Sequence, residues 1–148
     1  MYKDADARII ELLEKDASLT NREIGEKLGL PTTTVHNKIR RLEKDGVIKR
    51  YAAIFDKAKI GLPVSALIQI DTSACGPNKE KFSPKDIAEK IRKLGKTDWV
   101  TTVTGDYDMI AHVSVASTQE LSEFVTKLRR IDGITKTVTD IVLEEVDS

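Results

Sequence analysis

The chain holds 148 residues, 40% hydrophobic and 32% charged, with 8 glycines and 4 prolines; that balance excludes a fibrous or low-complexity polymer and allows one domain or two small ones. Formal net charge is zero, but residues 1–60 carry +3, residues 61–148 carry −3, and residues 31–60 alone carry +5. A local basic surface of this kind attracts phosphates, because a Debye length of about 8 Å at physiological salt screens the distant acidic half.

Three helical patterns open the chain. The first spans about Asp4 to Asp16, with Ala5, Ile9, Leu12 and Leu13 on one face and Asp4 placed as an N-cap. The second begins at Thr20, where Glu23 stands at the capping-box spacing, and Gly29 is placed to stop it. After Leu30-Pro31 the third runs from Thr32 to Lys44, ahead of Asp45-Gly46. Its side chains sort into two opposed stripes: Val35, Ile39 and Leu42 on one side, Thr33, His36, Asn37 and Arg40 on the other. The polar stripe contains no acid, and each member donates hydrogen bonds suited to phosphates or base edges. Two such helices joined by a tight glycine-containing turn form a helix-turn-helix, whose second helix fits the major groove of B-DNA.

This pattern assigns phosphate contacts to Thr20, Asn21, Arg22, Lys49 and Arg50 and base reading to Thr33, His36, Asn37 and Arg40. Thr32, Thr34 and Arg41 complete the DNA-contact set. Each residue alone has a plainer reading. His36 suits a solvated surface, the threonines suit a helix N-terminus, and Arg40 and Arg41 suit pairing with Glu43 or Glu11. The set as a whole carries the assignment.

Val47 to Asp56 mixes β-branched and aromatic residues and predicts a strand, acting as a wing beside the duplex and then as an arm to the next domain. Beyond Lys59-Ile60-Gly61-Leu62-Pro63 the pattern alternates. A strand over Val64–Asp71 is followed by a helix starting at Ser83-Pro84 and ending at Gly95. Strands over Trp99–Thr104 and Met109–Val115 flank Gly105 to Asp108, a helix opens at Thr118, and a final strand covers Ile134–Glu145. The order βαββαβ describes an α+β, ferredoxin-like sandwich with helices on one sheet face. The other face keeps apolar positions, which predicts at least a homodimer, its two reading helices about one DNA turn apart. The expected domains are a DNA-binding unit over 1–50, a strand linker over 51–62 and the βαββαβ unit over 63–148.

Asp4-x-Asp6-x-x-Ile9-Ile10, Glu23-Ile24-Gly25, Arg40-Arg41-Leu42-Glu43, Gly46-Val47-Ile48, Thr104-Gly105-Asp106-Tyr107-Asp108 and Ile141-Val142-Leu143 occur in this order. Together they resemble the Lrp/AsnC, or feast/famine, family of prokaryotic transcription regulators. The resemblance implies a winged helix-turn-helix joined to a RAM-type βαββαβ domain, dimers formed through the sheets, and often an octamer of four dimers. It also implies an amino-acid effector near Gly105, Asp106, Tyr107, Asp108, Thr137 and Thr139; the transcription machinery is a further expected partner. Read without the resemblance, Gly105 to Asp108 fits a tight hairpin connection and the threonines fit ordinary strand positions. The connection over 72–82 is longer than the family pattern, which bears on how dimers pack.

An enzyme is not expected. There is no nucleotide loop, no metal-spaced His/Cys/Asp set and no nucleophile with a partner; His36 and His112 fall in different predicted domains, and His112 reads as a structural strand residue. No metal or cofactor is expected. An effector-independent architectural DNA-binding protein shares the same N-terminal half and stays open as the alternative. The N-terminus lacks an apolar signal core, and no run approaches 18 apolar residues, so a cytoplasmic location without membrane contact is expected. Cys75, the single cysteine, reads as a free thiol.

Overall fold

Apolar spacing of three and four residues builds the first part of the molecule. In the computed structural model, which describes residues 4–73 and 82–144, helices α1 (Asp4–Lys15), α2 (Asn21–Leu28) and α3 (Thr32–Lys44) converge on a small core of Ile9, Ile24, Val35, Ile39 and Leu42. The chain divides into two compact units, Met1–Ile54 and Phe55–Ser148. Asp4, expected as an N-cap, lies inside α1 as its first described residue. α2 carries the full capping box: the Thr20 hydroxyl accepts from the Glu23 amide at 3.2 Å, and the Glu23 carboxylate accepts from the Thr20 amide at 2.8 Å.

The strand expected over Val47–Asp56 is not formed. Val47 and Ile48 instead donate their amides to the Leu42 carbonyl at 2.9 and 3.1 Å and rest half-buried on the core of the first unit. From Lys49 to Asp56 the backbone is exposed and joins no sheet. β-propensity records how well a side chain fits a pleated, half-covered surface, and no strand of the described chain supplies that surface here. Tyr51, Ile54 and Phe55 are left exposed as a result.

The second unit contains β1 (Val64–Thr72), α4 (Pro84–Lys93), β2 (Thr97–Thr102), β3 (Met109–Val115), α5 (Thr118–Leu128) and β4 (Ile134–Ile141). Their sheet is antiparallel throughout, in the order β2-β3-β1-β4, as a ferredoxin-like βαββαβ chain requires. Both helices start at serine caps, Ser83 accepting from the Asp86 amide and Ser117 from the Glu120 amide. Ala66, Ile68, Ile70, Met109, Ala111, Val113 and Val115 alternate toward Ile87, Ile91, Leu121, Phe124 and Leu128 of the helices. β2 begins and ends two residues earlier than expected. The Val103 amide already donates to the Asp108 carbonyl at 2.9 Å, closing the hairpin before Thr104. β4 ends at Ile141, short of the expected Glu145, which lies outside the described residues. Cys75 and most of the 72–82 connection also lie outside them.

On the sheet face away from the helices, Trp99 and His112 stack with ring centroids 5.6 Å apart, and the His112 Nδ1 is 3.1 Å from Asp98. Lys57 and Ser114 also donate to Asp98. Burial pushes the Asp98 carboxyl upward, but these hydrogen bonds outweigh it and hold the group below its ordinary value. His112 is thus a strand residue in a local polar cluster. Lys57, counted in the basic segment of the sequence, is tied to the second unit.

Candidate nucleic-acid interface

The turn between α2 and α3 is closed by one glycine. The Gly25 carbonyl accepts from both the Gly29 and Leu30 amides, and the Leu30 carbonyl stands where a Gly25 Cβ would lie only 2.6 Å away. Gly29, at φ 67°, ends α2 in the left-handed conformation. This close approach packs α2 against the start of α3. Val35, Ile39 and Leu42 are buried, whereas Thr33, His36, Asn37 and Arg40 are all exposed. The side chains expected to read bases therefore share the outward stripe of one helix. Among the described residues Arg40 has no ion-pair partner.

The remaining expected contacts divide. α3 starts after Pro31, whose ring offers no side-chain acceptor, so Thr32 and Thr33 begin the helix without a side-chain cap. Thr32 is therefore the first helical residue rather than a cap, and Thr34 is half-buried. Lys49 and Arg50 are exposed just beyond the turn that follows α3. Asn21 lies against the stripe, its side-chain nitrogen 3.3 Å from His36 Nδ1. Arg22 pairs with Glu26 at 2.9 Å, with both side chains largely exposed, a contact of about 0–1 kcal/mol that a phosphate readily replaces. Thr20 is less available than expected, because Glu23 already engages both its amide and its hydroxyl. Arg41 turns to the opposite flank, where its guanidinium donates to Asp6 at 2.5 Å.

Asp6 appears in the sequence pattern only as part of the opening string, with no role assigned to it. Its carboxylate is 1% exposed and also accepts from Lys38 at 2.8 Å. The Lys38 hydrogen bond lowers its pKa; burial opposes this, and the charges of Lys38 and Arg41 add to the lowering. An acidic residue in the first turn of a helix reads as a capping or solvated group, so only the fold reveals the burial.

In the second unit, Asp108 and Thr137 meet the C-terminal part of β1, and Thr139 pairs with Ile68 at its middle. Asp108 donates its amide to the Ile70 carbonyl at 3.1 Å, and its carboxylate accepts from the Thr72 amide and hydroxyl at 2.7 and 2.9 Å. These bonds, the amide first, hold the Asp108 carboxyl below its ordinary value. Gly105 adopts φ 126° with open space beside it, Asp106 is exposed and Tyr107 is half-buried. Across β1, Thr137 pairs with Ile70 and its hydroxyl accepts from Arg129 Nε at 2.8 Å. The Thr139 hydroxyl is buried without a partner among the described residues. Arg129, Ile134, Thr135, Lys136 and Thr137 line a shallow, open groove. Nothing in the sequence distinguishes Arg129 from its neighbour Arg130.

Comparison with known proteins agrees with both halves of this description. The family model for winged helix-turn-helix DNA-binding domains matches residues 3–49, and that for the Lrp/AsnC ligand binding domain matches residues 66–148. The HTH-type transcriptional regulator FL11 of Pyrococcus furiosus is 36% identical over 95% of this chain and 89% of its own length. Among solved structures, LrpC of B. subtilis is 26% identical with a TM-score of 0.84, covering 100% of this chain and 99% of that one. A feast or famine regulatory protein of M. tuberculosis, solved in complex with L-methionine, is 25% identical with a TM-score of 0.87, covering 99% and 95%. The exposed polar stripe on α3 and the four-stranded sheet behind two helices thus fall within a known lineage: the chain belongs to the Lrp/AsnC family and is a DNA-binding transcription regulator, not an enzyme.

Proposed function

We propose that the protein reads a pseudo-palindromic operator as a homodimer or a larger assembly such as four dimers, with α3 in the major groove, and that an amino acid modulates it. The observation that carries the DNA reading is the exposure of Thr33, His36, Asn37 and Arg40 on one stripe while every apolar residue of α3 is buried. Arg40 suits the acceptor edge of guanine and Asn37 suits adenine. The uncapped start of α3, with Lys49 and Arg50, supplies phosphate contacts. Exposed Tyr51, Ile54 and Phe55 on the arm, with half-exposed Trp99 on the open sheet face, support self-association, since such apolar groups gain from cover by a second copy. The methionine-bound relative supports an amino-acid effector, with Gly105 to Asp108 near its ammonium group and Thr137 and Thr139 near its carboxylate. Its place of action is the cytoplasm, where DNA and the transcription machinery are its partners.

Arg40→Ala is expected to lower affinity for the best operator by about 1–3 kcal/mol and to loosen preference at one base position. Gel-shift titration against single-base operator variants measures both effects; an unchanged affinity removes Arg40 from the reading set. Genome-wide binding-site mapping with and without added amino acids tests the wider proposal. Discrete sites that shift with one amino acid support it, and uniform coverage would assign an architectural role instead.

A further inference from the structure

Helix α3 carries four cations, Lys38, Arg40, Arg41 and Lys44, and the fold treats them unequally. At about 100° per residue, Arg40 and Lys44 leave the helix beside Thr33 and Asn37, on the side away from the core. Lys38 and Arg41 leave it on the flank that faces α1. There the Asp6 carboxylate, itself 1% exposed, accepts from Lys38 Nζ at 2.8 Å and from Arg41 Nη2 at 2.5 Å. Asp6 stands opposite the two of these cations that lie off the reading stripe.

We propose that Asp6 is a positioning residue that withdraws Lys38 and Arg41 from DNA, limiting the sequence-independent part of binding so that the outward stripe decides where the protein binds. The inference rests on α3 being the DNA-contact helix. Each cation placed on a phosphate adds affinity for any duplex and steepens the dependence of log K on log salt by about 0.9, without adding discrimination. Arg41 is half exposed and long enough to turn toward a phosphate, but doing so removes one of two partners from a buried carboxylate. A phosphate at the surface is a poorer exchange than a buried anion, because desolvation penalises the anion that is left behind. The buried pairing therefore holds against the duplex.

The test compares salt dependence on two probes, a selected operator duplex and a random-sequence duplex of the same length. Arg41→Gln keeps the Asp6–Lys38 pair and is expected to leave the salt slope of the wild type unchanged on both probes. A slope flatter by about 0.9 would mean that Arg41 already contacts a phosphate and would overturn the proposal. Asp6→Asn combined with Lys38→Met removes the more buried pair together, so no buried charge is stranded, and releases Arg41. On the random duplex this variant is expected to bind more tightly, with a slope steeper by about 0.9, and its preference for the operator falls several-fold. If it is folded by circular dichroism and the slope does not move, the proposal is wrong; if it does not fold, the Arg41→Gln result decides. A purely structural role for Asp6 would weaken both probes together with no change in slope. Failure of the wild type to bind either duplex would instead overturn the DNA reading itself.

Discussion

Gly25→Val is expected to unfold the first unit and abolish operator binding while the sheet of the second unit keeps its own melting transition. A Cβ at this position would lie 2.6 Å from the Leu30 carbonyl oxygen and 3.7 Å from the Thr32 amide. The near atom is backbone, so no side-chain rotation relieves the clash. Nor does the turn open freely: the Leu30 amide is bonded to the Gly25 carbonyl at 2.9 Å, and moving Leu30 outward breaks that bond and tilts α3. Overpacking in a core costs about 1–3 kcal/mol when side chains can adjust, and valine adds a Cβ and two methyls at a contact that cannot. Among its described residues the first unit has five buried apolar side chains in its core, so a loss of that size approaches the stability of a unit this small. The two cores share no residue, which is why the second transition should persist. Hydrogen exchange gives the sharpest reading: amides of α2 and α3 should lose protection while those of β1 and β3 retain it. A valine variant that binds operator normally and keeps protection in α3 would show that the turn is looser than this geometry.

The parts of the molecule legible in the sequence were those set by local periodicity. Ile24 with Leu28, and Val35 with Ile39 and Leu42, fix two helix faces, and the polar stripe follows by exclusion. Thr20 with Glu23, and Ser83 with Pro84, mark helix starts through chemistry confined to four residues. The alternation of Ala66, Ile68 and Ile70 likewise identifies a strand with one buried face. What the sequence hid depends on partners distant along the chain. Asp6 meets Lys38 and Arg41, 32 and 35 residues away, and His112 meets Asp98 across a hairpin. Asp108 looks like a free loop carboxylate until the fold brings Thr72 onto it. The misread strand over Val47–Asp56 has a different origin. Its composition describes a surface suited to pairing, and pairing needs a second strand, which the described chain does not provide at that place.

Asp6→Ala is expected to destabilise the first unit by about 1–3 kcal/mol, less than the cost of breaking a fully buried pair because both cations on Asp6 keep access to water. The size follows from where the charges sit. The Asp6 carboxylate is 1% exposed, whereas Lys38 is 19% and Arg41 48% exposed, so alanine removes the shared anion from two cations that still reach water. The Lys15–Glu11 pair makes the contrast, because its side chains are 72% and 63% exposed and water screens it, so its loss should barely move stability. Acid supplies an independent check with a definite sign. The bond from Lys38 holds the Asp6 carboxyl below its ordinary 3.8, against the opposing effect of burial, so the folded state binds this proton more weakly than the unfolded chain. The stabilisation is therefore complete above the unfolded value and disappears as pH falls through the lower, folded one. Urea melts of wild type and Asp6→Ala should thus differ by a constant amount near neutrality, begin to converge only as pH falls below 3.8, and come together below the folded value. Convergence matters more than magnitude, because a cavity left by alanine would cost the same at every pH, whereas a lost ion pair costs nothing once the carboxylate it replaces is protonated.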